Sequence, residues 1–108
     1  MANEFANAQK VGVTTVQTVY TAAAGKTCIM LELDIANTTS AVVEASVQIF
    51  DTSATTSAYI VKNAPVPAGG SLMVIAGQKI VLEPTDIVKV TSTGATDVVA
   101  AILEDVNS

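Results

Sequence analysis

Two carboxylates, Glu32 and Asp34, stand two residues apart within the stretch Lys26 to Ala36. On a strand they share a face, at a spacing compatible with the roughly 5–9.5 Å between the acid and base of a glycoside hydrolase. An outward strand face is also where solvated charges ordinarily sit, and no aromatic platform for a sugar accompanies the pair. Glu104 and Asp105 form a second pair with the same shortcoming. Cys28 is the single cysteine and falls beside Met30 on what the alternation makes an outer face, as a reactive thiol or a small packed residue. The chain has no His and no Arg, which removes Ser–His and Cys–His nucleophiles, ordinary zinc sites and bidentate phosphate clamps. Ala68-Gly69-Gly70-Ser71 is glycine-rich, but no helix follows to present its amides to an anion. Asp51, Glu83 and Asp86 could offer oxygens to calcium, yet no D-x-[DN]-x-[DN]-G loop surrounds them. The expectation is therefore no catalytic residue, no cofactor and no metal, and a chain that is not an enzyme.

The elements that carry these residues are set by composition. The 108 residues suffice for one domain. Half are hydrophobic, but only 4% are aromatic, and the apolar half is mostly Ala (17) and Val (16), with Thr (14) the commonest polar residue. Val, Ile and Thr suit a pleated surface. The longest wholly apolar run, Val98 to Leu103, is far short of the roughly 20 residues of a membrane-spanning helix. Five scattered lysines against ten carboxylates cannot neutralise a phosphate track, and no basic amphipathic helix is present. Neither nucleic acid nor a membrane surface is an expected partner. A mean hydropathy of +0.51 in so small a domain suggests aliphatic surface left for another chain.

Along the chain almost every segment reads as a strand. Residues 1–10 carry no period and read as an extended N-terminal arm, either frayed or docked on a neighbouring subunit through Phe5. They lack the charged and apolar regions of a signal peptide, and one cysteine fits folding in a reducing cytosol. Residues 11–108 form a single domain. Val11 to Tyr20 alternates loosely. In Lys26 to Ala36, Ile29, Leu31, Leu33 and Ile35 fall on one face, with Cys28, Met30, Glu32 and Asp34 on the other. Asn37-Thr38-Thr39 matches a glycosylation acceptor but reads as a turn. Val43, Ala45, Val47 and Ile49 form the next inward face. A Ser/Thr-rich loop follows from Asp51, then a short strand from Ser57 to Asn63 and an irregular Pro65–Gly70 segment. Leu72 to Ile75 is apolar on both faces and expected to be covered on both. Gly77 suggests a bulge, and Glu83-Pro84-Thr85-Asp86 a type I turn. Ile87 to Thr91 and Val98 to Glu104 complete about eight short strands. The expected fold is all-β: an antiparallel sandwich, jelly-roll or immunoglobulin-like.

Val98, Ala100 and Ile102 point one way on the last strand, and Val99, Ala101 and Leu103 the other. A strand apolar on both faces is either central and covered, or has an outer face that meets another subunit.

Val61 to Ile75, with its Pro-Ala-Gly loop, and Gln78 to Val90, with Lys-Ile-Val-Leu, resemble small β-sandwich virion structural proteins of tailed bacteriophages. Val19 to Gly25 and Leu33 to Asn37 share the likeness, which spans about residues 11 to 104. The resemblance implies a virion structural protein, foremost a capsid decoration (cement) protein at the head surface, synthesised in the host cytoplasm. Its partners would be the major capsid protein and copies of itself, as a homotrimer on the shell's local three-fold axes. A tail, neck or fibre component is the alternative, and a carbohydrate-binding module a further one, requiring Tyr20 and Tyr59 in one shallow cleft. The candidate contacts are Phe5, Val11, Val13, Val99, Ala101 and Leu103.

Overall fold

The computed structural model describes residues 3–106. Among them are eight strands and no helix: β1 (Glu4–Val13), β2 (Gln17–Thr21), β3 (Cys28–Asn37), β4 (Val43–Asp51), β5 (Thr56–Val66), β6 (Ser71–Leu82), β7 (Ile87–Ser92) and β8 (Thr96–Glu104). They form two four-stranded antiparallel sheets, sheet A in the order β1-β8-β3-β6 and sheet B in the order β2-β7-β4-β5. First pairs with last, second with seventh, third with sixth and fourth with fifth. That nesting is a long antiparallel hairpin rolled over itself, the winding of a jelly roll rather than of an immunoglobulin domain.

Alternate residues of β4, β7, β8 and the second half of β3 meet between the sheets, joined by residues of the more irregular strands. Leu33, Ile35, Ala45, Val47, Val66, Ile75, Leu82, Val88, Val98, Ala100 and Ile102 are fully enclosed. The aliphatic β-branched composition thus serves packing on two pleated surfaces. At the β7–β8 turn, a Cβ on Gly94 would stand 2.6 Å from Val43 Cγ1, so a glycine lets the turn close over the core.

Several expectations change. From Glu4 onward the N-terminal arm is strand β1, paired with the chain's own β8 from Glu4↔Glu104 to Lys10↔Val98. Met1 and Ala2 lie outside the described residues. In β3 the alternation holds for Leu33 and Ile35 (inward) and for Glu32 and Asp34 (outward), but it reverses before them. Cys28 and Met30 are buried, and Ile29 faces out. The cause is a bulge at Leu31. Met30 pairs with Ile102 and Glu32 with the adjacent Ala101, leaving Leu31 without a partner on β8. On the other side Met30 pairs with Ile80 and Glu32 with Ala76, so Gly77, with φ +115°, sits in the irregularity that its type suggested.

Leu72 to Ile75 is not covered on both faces, because only one face of sheet A packs on sheet B, and Met73 on the other face is 66% exposed. Pro65 lies inside β5, tolerated because β5 is also an edge. Asp86 N donates to Glu83 O at 3.0 Å, closing the expected turn, but Thr85 at its third position has φ +70°. That angle belongs to a type II turn.

Candidate functional site

The two carboxylate pairs lie apart, Glu32 and Asp34 on the outer side of β3 and Glu104 and Asp105 at one end of the sandwich. Glu32 is exposed on the outer face of sheet A, and Asp34 lies two positions along. A hydrogen bond that Glu32 makes to Asp34 only when protonated, and then the repulsion of Asp34's charge, hold its carboxyl above the ordinary value. Asp34 Oδ1 is buried without a hydrogen-bond partner. Among the described residues no three metal-ligating side chains gather. Asp51 Oδ1 is occupied by its own turn, accepting from Ser53 Oγ at 2.7 Å, Ser53 N at 3.0 Å and Ala54 N at 3.2 Å. Those donors hold its carboxyl below the ordinary range. Asp86 Oδ2 likewise accepts from Glu83 N at 3.0 Å.

The other carboxylate pair is divided between two partners at one end of the sandwich. Tyr20, on β2 of sheet B, donates its phenol proton to Glu104 Oε2 on β8 of sheet A, which stitches the sheets together. Cys28 Sγ lies 3.5 Å from the same phenol oxygen. Asp105 Oδ2 accepts from Lys26 Nζ at 3.1 Å. Burial first, then the bonds with Cys28 and Glu104, push the Tyr20 phenol well above its ordinary 10.0. Between pH 10 and the raised folded value the native state keeps a proton that the unfolded chain has lost, so stability falls as pH rises there. Urea denaturation from pH 7 to 11 should show this decline. Tyr20→Phe should start about 1 kcal/mol less stable at pH 7 and lack that part of the fall. An identical pH dependence in both proteins would contradict the assignment.

Tyr20 and Tyr59 share no cleft. They stand on β2 and β5, the two opposite edges of sheet B, and Tyr20 reaches across to sheet A. The outer face of sheet B is more polar: Gln48 lies opposite Lys89, and half-buried Phe50, opposite Ile87, has the Lys89 ammonium 4.9 Å from its ring centre.

The outer face of sheet A differs. Strand register places Phe5, Leu103, Ile29 and Val81 side by side, one from each strand, as an unbroken apolar row across the sheet. Phe5 is 79% exposed and Val81 60%. A second row runs Asn7, Ala101, Glu32, Ala76, and a third Gln9, Val99, Asp34, Met73. Side chains on neighbouring strands at such positions touch, so the first row is one surface strip. Of the expected contact residues, Phe5, Val99, Ala101 and Leu103 come together on this face. Val11 is exposed at the bulge after Lys10, away from the regular rows. Val13 is 2% exposed and part of the core, because that bulge turns it inward; it cannot contact another chain in the folded domain. Ile29, Val81 and Met73 were not expected here. Strict alternation puts Ile29 inward because it does not allow for Leu31 as an extra residue, and Gly77 is the one sequence signal of a bulge at that level.

Comparison with protein-family models, with curated proteins and with solved structures finds no match to this chain.

Proposed function

We propose that this jelly roll is a structural protein of a tailed-phage virion that decorates the assembled head by seating the outer face of sheet A on the major capsid protein. The observation that carries this reading is the row Phe5–Leu103–Ile29–Val81, a strip of apolar side chains crossing all four strands and left open by the chain itself. Open apolar strips of this kind mark protein contacts, and leaving them bare exposes a chain to aggregation. The jelly roll adds an analogy of architecture, since it recurs in viral capsid proteins. The sequence likeness to phage virion proteins supplies the particular partner. Bound there, the domain bridges neighbouring capsid subunits and opposes the pressure of packaged DNA.

Antibody labelling of virions by electron microscopy should place copies over the head; label confined to the tail would replace this reading with a tail or neck component. In addition, Val81→Lys, an exposed change on the edge strand β6, should weaken binding of the purified chain to undecorated heads at least tenfold without unfolding it.

A further inference from the structure

A jelly roll has two edges per sheet, and three of the four here are blunted in ways that discourage another strand. β2 is only five residues long and loses register between Thr18 and Tyr20. β5 carries Pro65 and has Asn63 at φ +54°. β6 is broken by Gly77 at φ +115° and Lys79 at φ +56°. β1 has none of these over its first part: Glu4 through Lys10 pair with β8 without a break, and the irregularity begins only after Lys10. Its outer side is a straight row of backbone donors and acceptors, a surface whose chemistry fits an extended strand.

The residues of that stretch say which strand. It reads Glu4-Phe5-Ala6-Asn7-Ala8-Gln9-Lys10, a pattern centred on Asn7. Laid antiparallel against itself about a two-fold at Asn7, it sets Glu4 against Lys10 of the second copy and Lys10 against its Glu4. Ala6 then meets Ala8, Phe5 meets Gln9, and the two Asn7 residues face each other. Sliding the pair by two residues in either direction breaks both charge pairs. Among the described residues of one chain these charges have no such partner. The ion pair between described residues joins Lys26 to Asp105, while Glu4 stands directly opposite another carboxylate, Glu104.

We propose that two copies of this chain associate edge to edge through β1, antiparallel about a two-fold at Asn7, so that two four-stranded A sheets become one continuous sheet. Opposite charges facing across strands favour this register and no other. The pair puts the apolar rows of both copies on the same side of the joined sheet. It replaces the three-fold arrangement that shell symmetry suggests, and as a property of the free chain it does not depend on the shell-binding reading.

Sedimentation equilibrium of the purified chain tests it. The wild type should dimerise. Glu4→Lys and Lys10→Glu each set like charges against each other twice per dimer and should raise the dissociation constant about tenfold. The double variant Glu4→Lys/Lys10→Glu should return it to near the wild-type value. Both residues are exposed, so each variant should keep the wild-type circular dichroism. Under oxidation Asn7→Cys should give a disulfide-linked dimer, because the two copies of residue 7 are directly opposed. Gln9→Cys should not, since its two copies lie roughly 13 Å apart along the strands. A monomer at every concentration, a trimer, single reversals that leave association unchanged, or no cross-link at position 7 would each overturn the proposal. Failure of Val81→Lys to weaken head binding bears only on the shell-binding reading, because Val81 lies on the opposite edge of sheet A from β1.

Discussion

Met30→Lys should leave the chain unfolded, while its neighbour Leu31→Lys should cost under about 1 kcal/mol. Met30 is fully enclosed between the sheets. A lysine there must either bury a charge or give up its proton, at a cost of several kcal/mol against a total stability of roughly 5–15 kcal/mol for a domain of this kind. Leu31 is half-buried in the bulge and leaves room for a lysine stem to lie along the surface with its ammonium in water. Strict alternation through β3 makes the opposite forecast, with Leu31 inside and Met30 outside. Circular dichroism and urea denaturation of the two variants decide between them. A folded Met30→Lys protein beside an unfolded Leu31→Lys protein would remove the bulge from the description.

Asn37→Ala should lower stability by about 3 kcal/mol and the melting temperature by on the order of 15 °C. Asn37 ends β3 and is 3% exposed. Its amide donates to Ala41 O at 2.7 Å, Val66 O at 3.0 Å and Pro67 O at 3.1 Å. Its oxygen accepts from Thr39 N and Thr39 Oγ1, both at 2.8 Å. One side chain therefore ties the β3–β4 connection to the end of β5, and truncation removes all five bonds at once, including the buried one to Val66 O. The same contacts explain why this glycosylation-like triplet is structural: its asparagine faces inward. Asn37→Asp supplies a pH signature. Its carboxyl would be buried against three carbonyl oxygens, which favour the protonated form; the two Thr39 donors oppose this but do not offset burial and three carbonyls, so the folded pKa lies above the unfolded value of about 3.9. The protonated acid can still donate one bond. The deficit against the wild type should be smallest below about pH 4 and widen as pH rises through the folded pKa. Thermal melts of both variants at pH 3.5 and pH 7 measure it, and a deficit independent of pH would show that the amide's donors are dispensable.

The strand count and two-sheet architecture were legible because several inward faces carry a period of two ending in turn residues. Val43, Ala45 and Val47 are an example, with Asp51 then folding its carboxylate onto Ser53. What escaped were events that break the period without changing composition. Leu31 is as apolar as its neighbours, so nothing in its type reveals that it is the extra residue, yet it moves Cys28, Ile29 and Met30 to the other face. Lys10 to Val13 hides a second such break, which draws Val13 into the core. Phe5 and Leu103 were legible as surface residues, but not as direct neighbours, since their pairing joins opposite ends of the chain. Ile29 and Val81 complete the row only through strand order, which local pattern does not encode.

That pairing of first strand with last also governs how the molecule is made. Sheet A is complete only when β8 lies between β1 and β3, so one of its two central strands is the last of the eight to be synthesised. The β4–β5 hairpin can close early, but β1 must wait across almost the whole sequence for its partner. Loop-closure entropy is spent before those contacts form, which places folding in the slow, millisecond-to-second regime of high contact order. Until then β1 is bare along both sides, and β3 lacks its neighbour on one. Until β8 emerges, the open strands of neighbouring growing chains can pair with one another, so that interval is where strand mispairing is expected to compete with folding.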